Sequence, residues 1–190
     1  MREALVWKLE GLSEYDVRRP LTMTGTNLLG LVKHNAISDA RYFGEVFHRP
    51  FPEPVPRWDD PHALGSDHWA TEHETRADVI DLSRRVWTHS DATITELDLD
   101  SLGYVPWWDE EVALFNVMVH RLSDATRHAG HADILREGLD GGLGVDPQSA
   151  PPGGLDDHWR TRRETVERAA QAAADPRRTP QPPGPTRTIG

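Results

Sequence analysis

The sequence predicts an all-α protein, namely an up-and-down four-helix bundle with an additional C-terminal helix and a disordered tail. Three observations support this fold class. Apolar residues recur at helical spacing in five segments, loops rich in Pro and Gly separate these segments, and none of the segments shows the strict alternation of a strand. The 190 residues, of which 37% are hydrophobic, are enough to form one domain with a buried core.

The N-terminal part of the sequence contains two predicted helices. The first covers residues 4–12, where leucines recur at helical spacing, and it ends before Pro20. The second begins at an N-cap, Thr26 or Asn27, and continues for about 20 residues with a wide apolar stripe. Five prolines then fall within residues 50–61, which predicts an extended loop because proline can neither continue a helix nor join a central strand.

Three further helices are predicted after this loop. Thr71 followed by Glu74 is a capping-box pattern that predicts the start of the third helix. The fourth helix is expected from about residue 111 to residue 139, with Leu114, Met118, Leu122 and Ala125 on one stripe, and glycines follow it.

The fifth helix ends near residue 174 and is expected to turn Trp159, Val166 and Ala170 toward the core. Residues 175–190 contain five prolines and almost no apolar side chain, so they are expected to form a disordered tail. Residues 1–174 are therefore predicted to be one helical domain.

The composition of the chain excludes several classes of function. A formal net charge of −10 argues against nucleic acid as a partner. No apolar run is long enough to span a bilayer, and the N-terminus does not resemble a signal peptide, so a cytoplasmic protein without a membrane partner is expected. The absence of cysteine excludes disulfides, thiolate ligands and a cysteine nucleophile. Arg makes up 19 of the 21 basic residues, a bias typical of GC-rich genomes.

Polar residues with metal-binding potential follow one face of the fourth predicted helix. His120, Asp124, His128 and His131 are spaced by four, four and three residues, so they share that face. A carboxylate and an imidazole four residues apart can bind one metal ion, and His34, in the middle of the second helix, is a candidate third ligand.

A purely structural interpretation of the same residues stays open at this point. A histidine in the middle of a helix can be a hydrogen-bonded core residue, and an acid–histidine pair can lie on a solvated surface. The remaining histidines lie in predicted loops or on polar helix faces and are assigned no function: His48, His62, His68, His73, His89 and His158.

Four blocks of sequence, matching in order and spacing, carry a resemblance to a known family. They are WKLEGLSEYDVRRPLTMTGTNLLGLVKH, DHWATEHET, WTHSDATITELDLDSLGYVPWW and HRLSDATRHAGHADILREGLDG. Residues 1–174 resemble the DinB-like superfamily of four-helix-bundle proteins and, within it, the actinobacterial DUF664 group, which is similar to mycothiol-dependent isomerases and S-transferases. The resemblance implies a divalent metal held by His34, Asp124 and His128.

The sequence departs from the family pattern in two places. Relatives usually carry Glu where this chain has Asp124, and the shorter side chain is expected to bind a metal more weakly or to miss it, with His120 or His131 as substitutes. The first helix of relatives also begins earlier than Met1. Either the start of this chain is misassigned or its bundle is one or two turns short.

The resemblance implies an enzyme that activates a thiol. Three protein ligands leave a coordination position for water or substrate. We therefore expect a metal-dependent transferase that activates a low-molecular-weight, mycothiol-like thiol as cosubstrate and transfers it to a small electrophile. Zinc is the first choice of metal, while nickel, iron and manganese stay open. His131 is the candidate catalytic acid or base, and Trp107 with Trp108 form either a pocket wall or ordinary core.

Two alternatives to this activity remain at the level of sequence. The first is a non-catalytic DinB-like stress or binding protein with a vestigial metal site, which the replacement of Glu by Asp124 favours. The second is a metal-dependent hydrolase with the same ligands and a metal-bound hydroxide as nucleophile. Dimers are common in such bundles, so the resemblance also implies a homodimer.

Overall fold

The computed structural model of the chain describes residues 1–62, 64–148 and 157–174. Two compact units are present, Met1–Pro151 and Pro152–Gly190. The described residues are mostly helical. Their elements, in chain order, are α1 (Arg2–Trp7), α2 (Glu14–Arg18), α3 (Leu28–Tyr42), α4 (Arg76–Glu96), β1 (Leu102–Val105), β2 (Glu110–Ala113), α5 (Leu114–Asp140) and α6 (Asp157–Ala174).

Helix α3 is the centre of the first unit. It packs against α4 and α5 and also contacts α1 and α2. The Asn27 side chain caps it by accepting a hydrogen bond from the Gly30 N–H, as the sequence predicts. Every residue of α3 except His34 is buried, so this helix is surrounded by the rest of the unit.

Two apolar clusters lie at the two ends of α3. One contains the first residues of α3 together with α1, α2 and parts of α4 and α5, and the other contains Tyr42, Phe43 and the two strands. The middle of α3, from Lys33 to Arg41, carries most of its polar residues between these clusters. Hydrophobic burial therefore fixes both ends of the helix. Within the polar middle, Asn35 and Asp39 bond Arg121 of α5.

The N-terminal segment differs from the prediction of one helix over residues 4–12. Helix α1 ends at Trp7, and a second short helix, α2, follows with Ser13 as its N-cap. Gly11 lies between them with a φ of +73°, a left-handed conformation that glycine adopts without a steric penalty. Apolar spacing alone does not reveal this break.

A small antiparallel sheet replaces the predicted start of the fourth helix. Strands β1 and β2 form a hairpin with Leu102 opposite Ala113 and Val105 opposite Glu110. The prediction of helix from residue 111 is therefore wrong, and α5 begins at Leu114. The physical reason is that Val105 and Val112 are buried against the second apolar cluster, and strand pairing allows this burial.

The third predicted helix begins later than its capping pattern suggests. Glu74 does accept a hydrogen bond from the Thr71 N–H, but this pair closes a turn rather than a helix. The capping box of α4 is formed by Thr75 and Asp78, four residues further along the chain.

Some residues predicted to be buried are exposed. Leu122 on α5 is 62% exposed, and Val166 on α6 is 61% exposed. Trp159 is the most protected residue of α6, whose other residues, Ala170 among them, are exposed. The expected core face of α6 is therefore wrong for Val166 and Ala170.

Other expectations about the fold remain predictions. The up-and-down order of four helices and the single domain over residues 1–174 are among them. The predicted tail, residues 175–190, lies outside the described residues. None of the helices in the described part of the chain combines the length and apolar character needed to cross a membrane.

Candidate metal centre

Helices α3 and α5 bring together the residues that the sequence suggests as ligands. His34 lies in the middle of α3, and Asp124 and His128 lie one turn apart on α5. One potential ligand atom from each of the three lies within 4.8 Å of the others. His34 and His128 each have side chains that are 14% exposed, so the cluster is largely shielded but reachable from solvent.

The ring of His34 is fixed by several neighbours. Its Nδ1 lies 2.6 Å from Oδ2 of Asp67, and its Nε2 lies 3.5 Å from the hydroxyl of Ser38. The ring of His68 stacks on it with centroids 4.0 Å apart, and the ring of His128 meets it edge-on at 4.8 Å. These contacts leave the imidazole of His34 little freedom to rotate.

The carboxylate of Asp124 bridges two side chains of α5. The guanidinium of Arg121 donates to Oδ2 at 2.5 Å, and Oδ1 lies 3.4 Å from Nε2 of His128. Arg121 is itself buried and also bonds Asp39 on α3. The buried guanidinium therefore holds one oxygen of Asp124 and leaves the other directed at the histidines.

The protonation state of His128 suits a metal ligand. Burial, followed by the positive charge of His34, lowers the pKa of His128 to about 4, so its ring is neutral at neutral pH. A neutral imidazole has a lone pair available for a cation. Nε2 is the nitrogen of His128 that faces Asp124, while its Nδ1 is buried and has no hydrogen-bond partner among the described residues.

The distance between Asp124 and His128 shows whether the two side chains are spaced as ligands of one ion. Two ligands of one tetrahedral ion, with bonds of about 2.0–2.2 Å, lie roughly 3.3–3.6 Å apart. The 3.4 Å between Asp124 Oδ1 and His128 Nε2 fits this separation. The residues present therefore fit a divalent metal, and the shorter side chain of Asp124 reaches the cluster.

The other residues of the α5 stripe lie outside this cluster. His131 is exposed, and its ring centroid is 5.8 Å from that of His128. His120 packs against Tyr42 and Trp108, with ring centroids 4.9 and 4.7 Å away. Neither is part of the metal-binding groups found among the described residues.

The two tryptophans of the hairpin have different environments. Trp107 is partly buried, and its Nε1 donates to the hydroxyl of Tyr42 at 2.9 Å. Trp108 is 37% exposed and lies beside His120. Trp107 is thus a packing residue, whereas Trp108 lies on the surface near the α5 stripe.

Two residues of this site escape the sequence reasoning. Asp67 and His68 belong to a short 3₁₀ turn, Ser66–His68, in the long connection between α3 and α4. With His34 they form a second group of potential ligand atoms within 4.8 Å of one another. A loop has no periodicity that links its residues to a helix face, but Asp67 and His68 open the block DHWATEHET, one of the four that carry the family resemblance.

Asp67 and His68 also affect each other's charge. Burial acts to raise the pKa of Asp67, but the hydrogen bond with His34 and the positive charge of His68 hold that pKa below its usual 3.8. Burial, together with the charge of His34, lowers the pKa of His68. A buried carboxylate and weakly basic imidazoles therefore surround the candidate site.

Comparison with known proteins assigns the chain to a family. No curated protein and no solved structure matches it. The family model described as mycothiol-S-transferase matches residues 1–141, which include the connection that carries Asp67 and the whole cluster between α3 and α5. The chain belongs to the mycothiol-S-transferase family, which is DinB-like.

Proposed function

We propose that the protein is a metal-dependent transferase that activates a mycothiol-like thiol and transfers it to a small electrophile. The observation that carries the proposal is the cluster of His34, Asp124 and His128, whose ligand atoms lie within 4.8 Å of one another in a member of the mycothiol-S-transferase family. The four-helix-bundle topology and a cytoplasmic location are part of the same proposal.

The donor set supports binding of a divalent ion. His34, Asp124 and His128 would supply two nitrogens and one oxygen, which is a common zinc set, although nickel, iron and manganese accept the same atoms. Three protein ligands leave room for an exogenous thiol, and this chain has no cysteine of its own. When bound, the metal would lower the pKa of a thiol so that it reacts as thiolate.

The residues of the chain then have separate tasks in the transfer. His34 and His128, both shielded from solvent, would bind the ion, and Arg121 orients Asp124 through the bond to its Oδ2. His131, exposed one turn beyond His128, is the candidate acceptor for the proton of the thiol. In a substitution, the sulfur electron pair forms the new C–S bond, and the leaving group departs with the electrons of the bond that breaks.

Metal analysis of the purified protein tests the proposal. We expect the wild type to bind one equivalent of zinc, and His128→Ala to bind it on the order of 100-fold more weakly or not at all. His73→Ala is the matched control, because the His73 side chain is 88% exposed and outside the cluster. A wild type that remains metal-free after incubation with zinc would contradict the proposal.

A conjugation assay tests the reaction itself. Mycothiol and an alkyl bromide whose thioether is fluorescent are mixed with the wild type, with and without added zinc. We expect conjugation that depends on both zinc and thiol and that His128→Ala abolishes. Hydrolysis of an ester substrate without any thiol would favour the hydrolase alternative, and zinc binding without either activity would favour a binding protein.

A further inference from the structure

We propose that Asp67 is a positioning residue that fixes the tautomer of His34 and so presents Nε2 of that ring as the metal ligand. This inference rests on the proposed function for its consequence, but the hydrogen bond itself is a property of the chain. The Nδ1 of His34 lies 2.6 Å from Oδ2 of Asp67. A metal-bound histidine commonly donates its other ring N–H to a carboxylate in this way.

The short distance shows that Asp67 and His34 are not ligands of the same ion through these two atoms. Neighbouring ligands of one tetrahedral ion are roughly 3.3–3.6 Å apart, so 2.6 Å is too close. The same distance is that of a short hydrogen bond between an N–H and a carboxylate. In contrast, Oδ1 of Asp124 and Nε2 of His128 are 3.4 Å apart, a separation that fits two ligands of one ion.

The position of Asp67 gives this bond its strength. Its side chain is 1% exposed, so the carboxylate is shielded from water and its charge acts on the histidines. Among the described residues its other oxygen, Oδ1, has no hydrogen-bond partner. A buried carboxylate with few other donors favours an N–H on Nδ1 of His34, which leaves the lone pair on Nε2.

The turn that carries Asp67 is connected to α3 by polar contacts and by a close backbone approach. The buried ammonium of Lys33 donates to the carbonyl oxygen of Trp69 at 2.9 Å and forms an ion pair with Glu74 at 2.7 Å. Gly30 leaves space for the carbonyl of His68, which a Cβ on residue 30 would meet at 1.8 Å. These contacts hold the segment that directly follows Asp67 against the helix.

The test compares wild type with Asp67→Asn, an isosteric change that removes the charge. Long-range ¹H–¹⁵N spectra of the metal-free protein report the tautomer of His34, whose signals are assigned with His34→Ala. We expect an Nδ1–H tautomer in the wild type and a smaller Nδ1–H fraction in Asp67→Asn. Zinc affinity, measured by competition with a chromophoric chelator, is expected to fall about 10–100-fold.

Glu74→Gln is the matched control. It removes a carboxylate that fastens the same connection to α3 through Lys33, so it loosens the turn without changing the partner of His34. We expect its His34 tautomer to match the wild type and its zinc affinity to change less than twofold. An equal loss of affinity in both variants would show that Asp67 is merely structural and would overturn the proposal.

Two other results would overturn the assignment of Asp67. One is a wild type in which His34 carries its proton on Nε2, and the other is a folded Asp67→Asn with unchanged zinc affinity. If Asp67→Asn does not fold, the tautomer of His34 in the metal-free wild type still tests the role of Asp67. A protein that binds no zinc but has the Nδ1–H tautomer would contradict the proposed function and leave the role of Asp67 in fixing the ring intact.

Discussion

Several basic side chains of this protein are buried and connect distant segments. Lys8, Arg121 and Arg136 are each less than a tenth exposed. Arg136 on α5 donates to the carbonyls of Lys8 and Glu10, which follow α1, and Lys8 forms an ion pair with Asp133 on α5. Because a buried charge is costly without partners, each of these residues specifies one arrangement of the segments that it joins.

The ion pair between Lys33 and Glu74 should make stability depend on pH. Burial acts to raise the pKa of Glu74, but the hydrogen bonds from Lys33 and the Thr71 N–H hold it below the usual 4.5. Glu74→Gln should therefore destabilise the protein at pH 7 by on the order of 1 kcal/mol, a modest value because the Glu74 side chain is 34% exposed and screened by water.

The sign of the pH effect follows from the lowered pKa. The stabilisation is fully present above about pH 4.5, the pKa expected in the unfolded chain, and is lost as the pH falls through the lower folded value. Urea unfolding of wild type and Glu74→Gln measures this effect. The difference between their unfolding free energies should be constant from pH 7 to about pH 4.5 and should shrink between pH 4.5 and pH 3. A difference that grows in acid would contradict this account.

At the scale of elements, the contact between α3 and the turn Ser66–His68 decides the geometry of the candidate site. Gly30 of α3 lies so close to this turn that a Cβ would overlap the carbonyl of His68. The close approach lets Asp67 and His68 reach the ring of His34 across a long connection. One glycine on a helix therefore determines whether a loop can take part in the site.

Gly30→Ala should force the turn away from α3. Overpacking against backbone costs about 1–3 kcal/mol, and both unfolding free energy and zinc affinity are expected to fall. Gly130→Ala on α5 is the control, since a Cβ there meets nothing within 4 Å. It should leave zinc affinity unchanged and stabilise the helix by about 0.5–1 kcal/mol, which chemical denaturation can measure. Equal changes in unfolding free energy and zinc affinity after the two substitutions would show that the contact between Gly30 and the turn is unimportant.

At the scale of the whole molecule, a metal between α3 and α5 would couple binding to folding. His34 comes from one helix and Asp124 with His128 from another, so the complete ligand set exists only in the folded chain. A ligand at about 100 times its Kd stabilises a protein by about 2.7 kcal/mol. The thermal midpoint should therefore depend on the concentration of free metal.

Thermal unfolding with and without zinc measures this coupling. We expect zinc at about 100 times its Kd to raise the Tm of the wild type by roughly 5–10 °C and a chelator to reverse the increase. His34→Ala should show no increase, whereas His73→Ala should behave like the wild type. A rise of similar size in His34→Ala would place the ion elsewhere.

The sequence predicts some elements of this fold well and others poorly. Strong signals such as the Asn27 cap and the glycine at residue 141 locate the start of α3 and the end of α5. The hairpin before α5 is missed because its strands have four residues each, too few for a clear period. Leu122 is exposed although its spacing fits the apolar stripe, because the arrangement of neighbouring helices determines which part of a stripe is covered.

The sequence by itself determines that this protein is mostly helical and that Asp124 and His128 share a face of α5, because helical periodicity is a local property of the chain. Its motifs also lead to the mycothiol-S-transferase family. Only the tertiary structure decides that His34 meets that face and that Asp67 and His68 join it from a loop. These contacts cross 33 or more residues of sequence, and long-range packing rather than local spacing produces them.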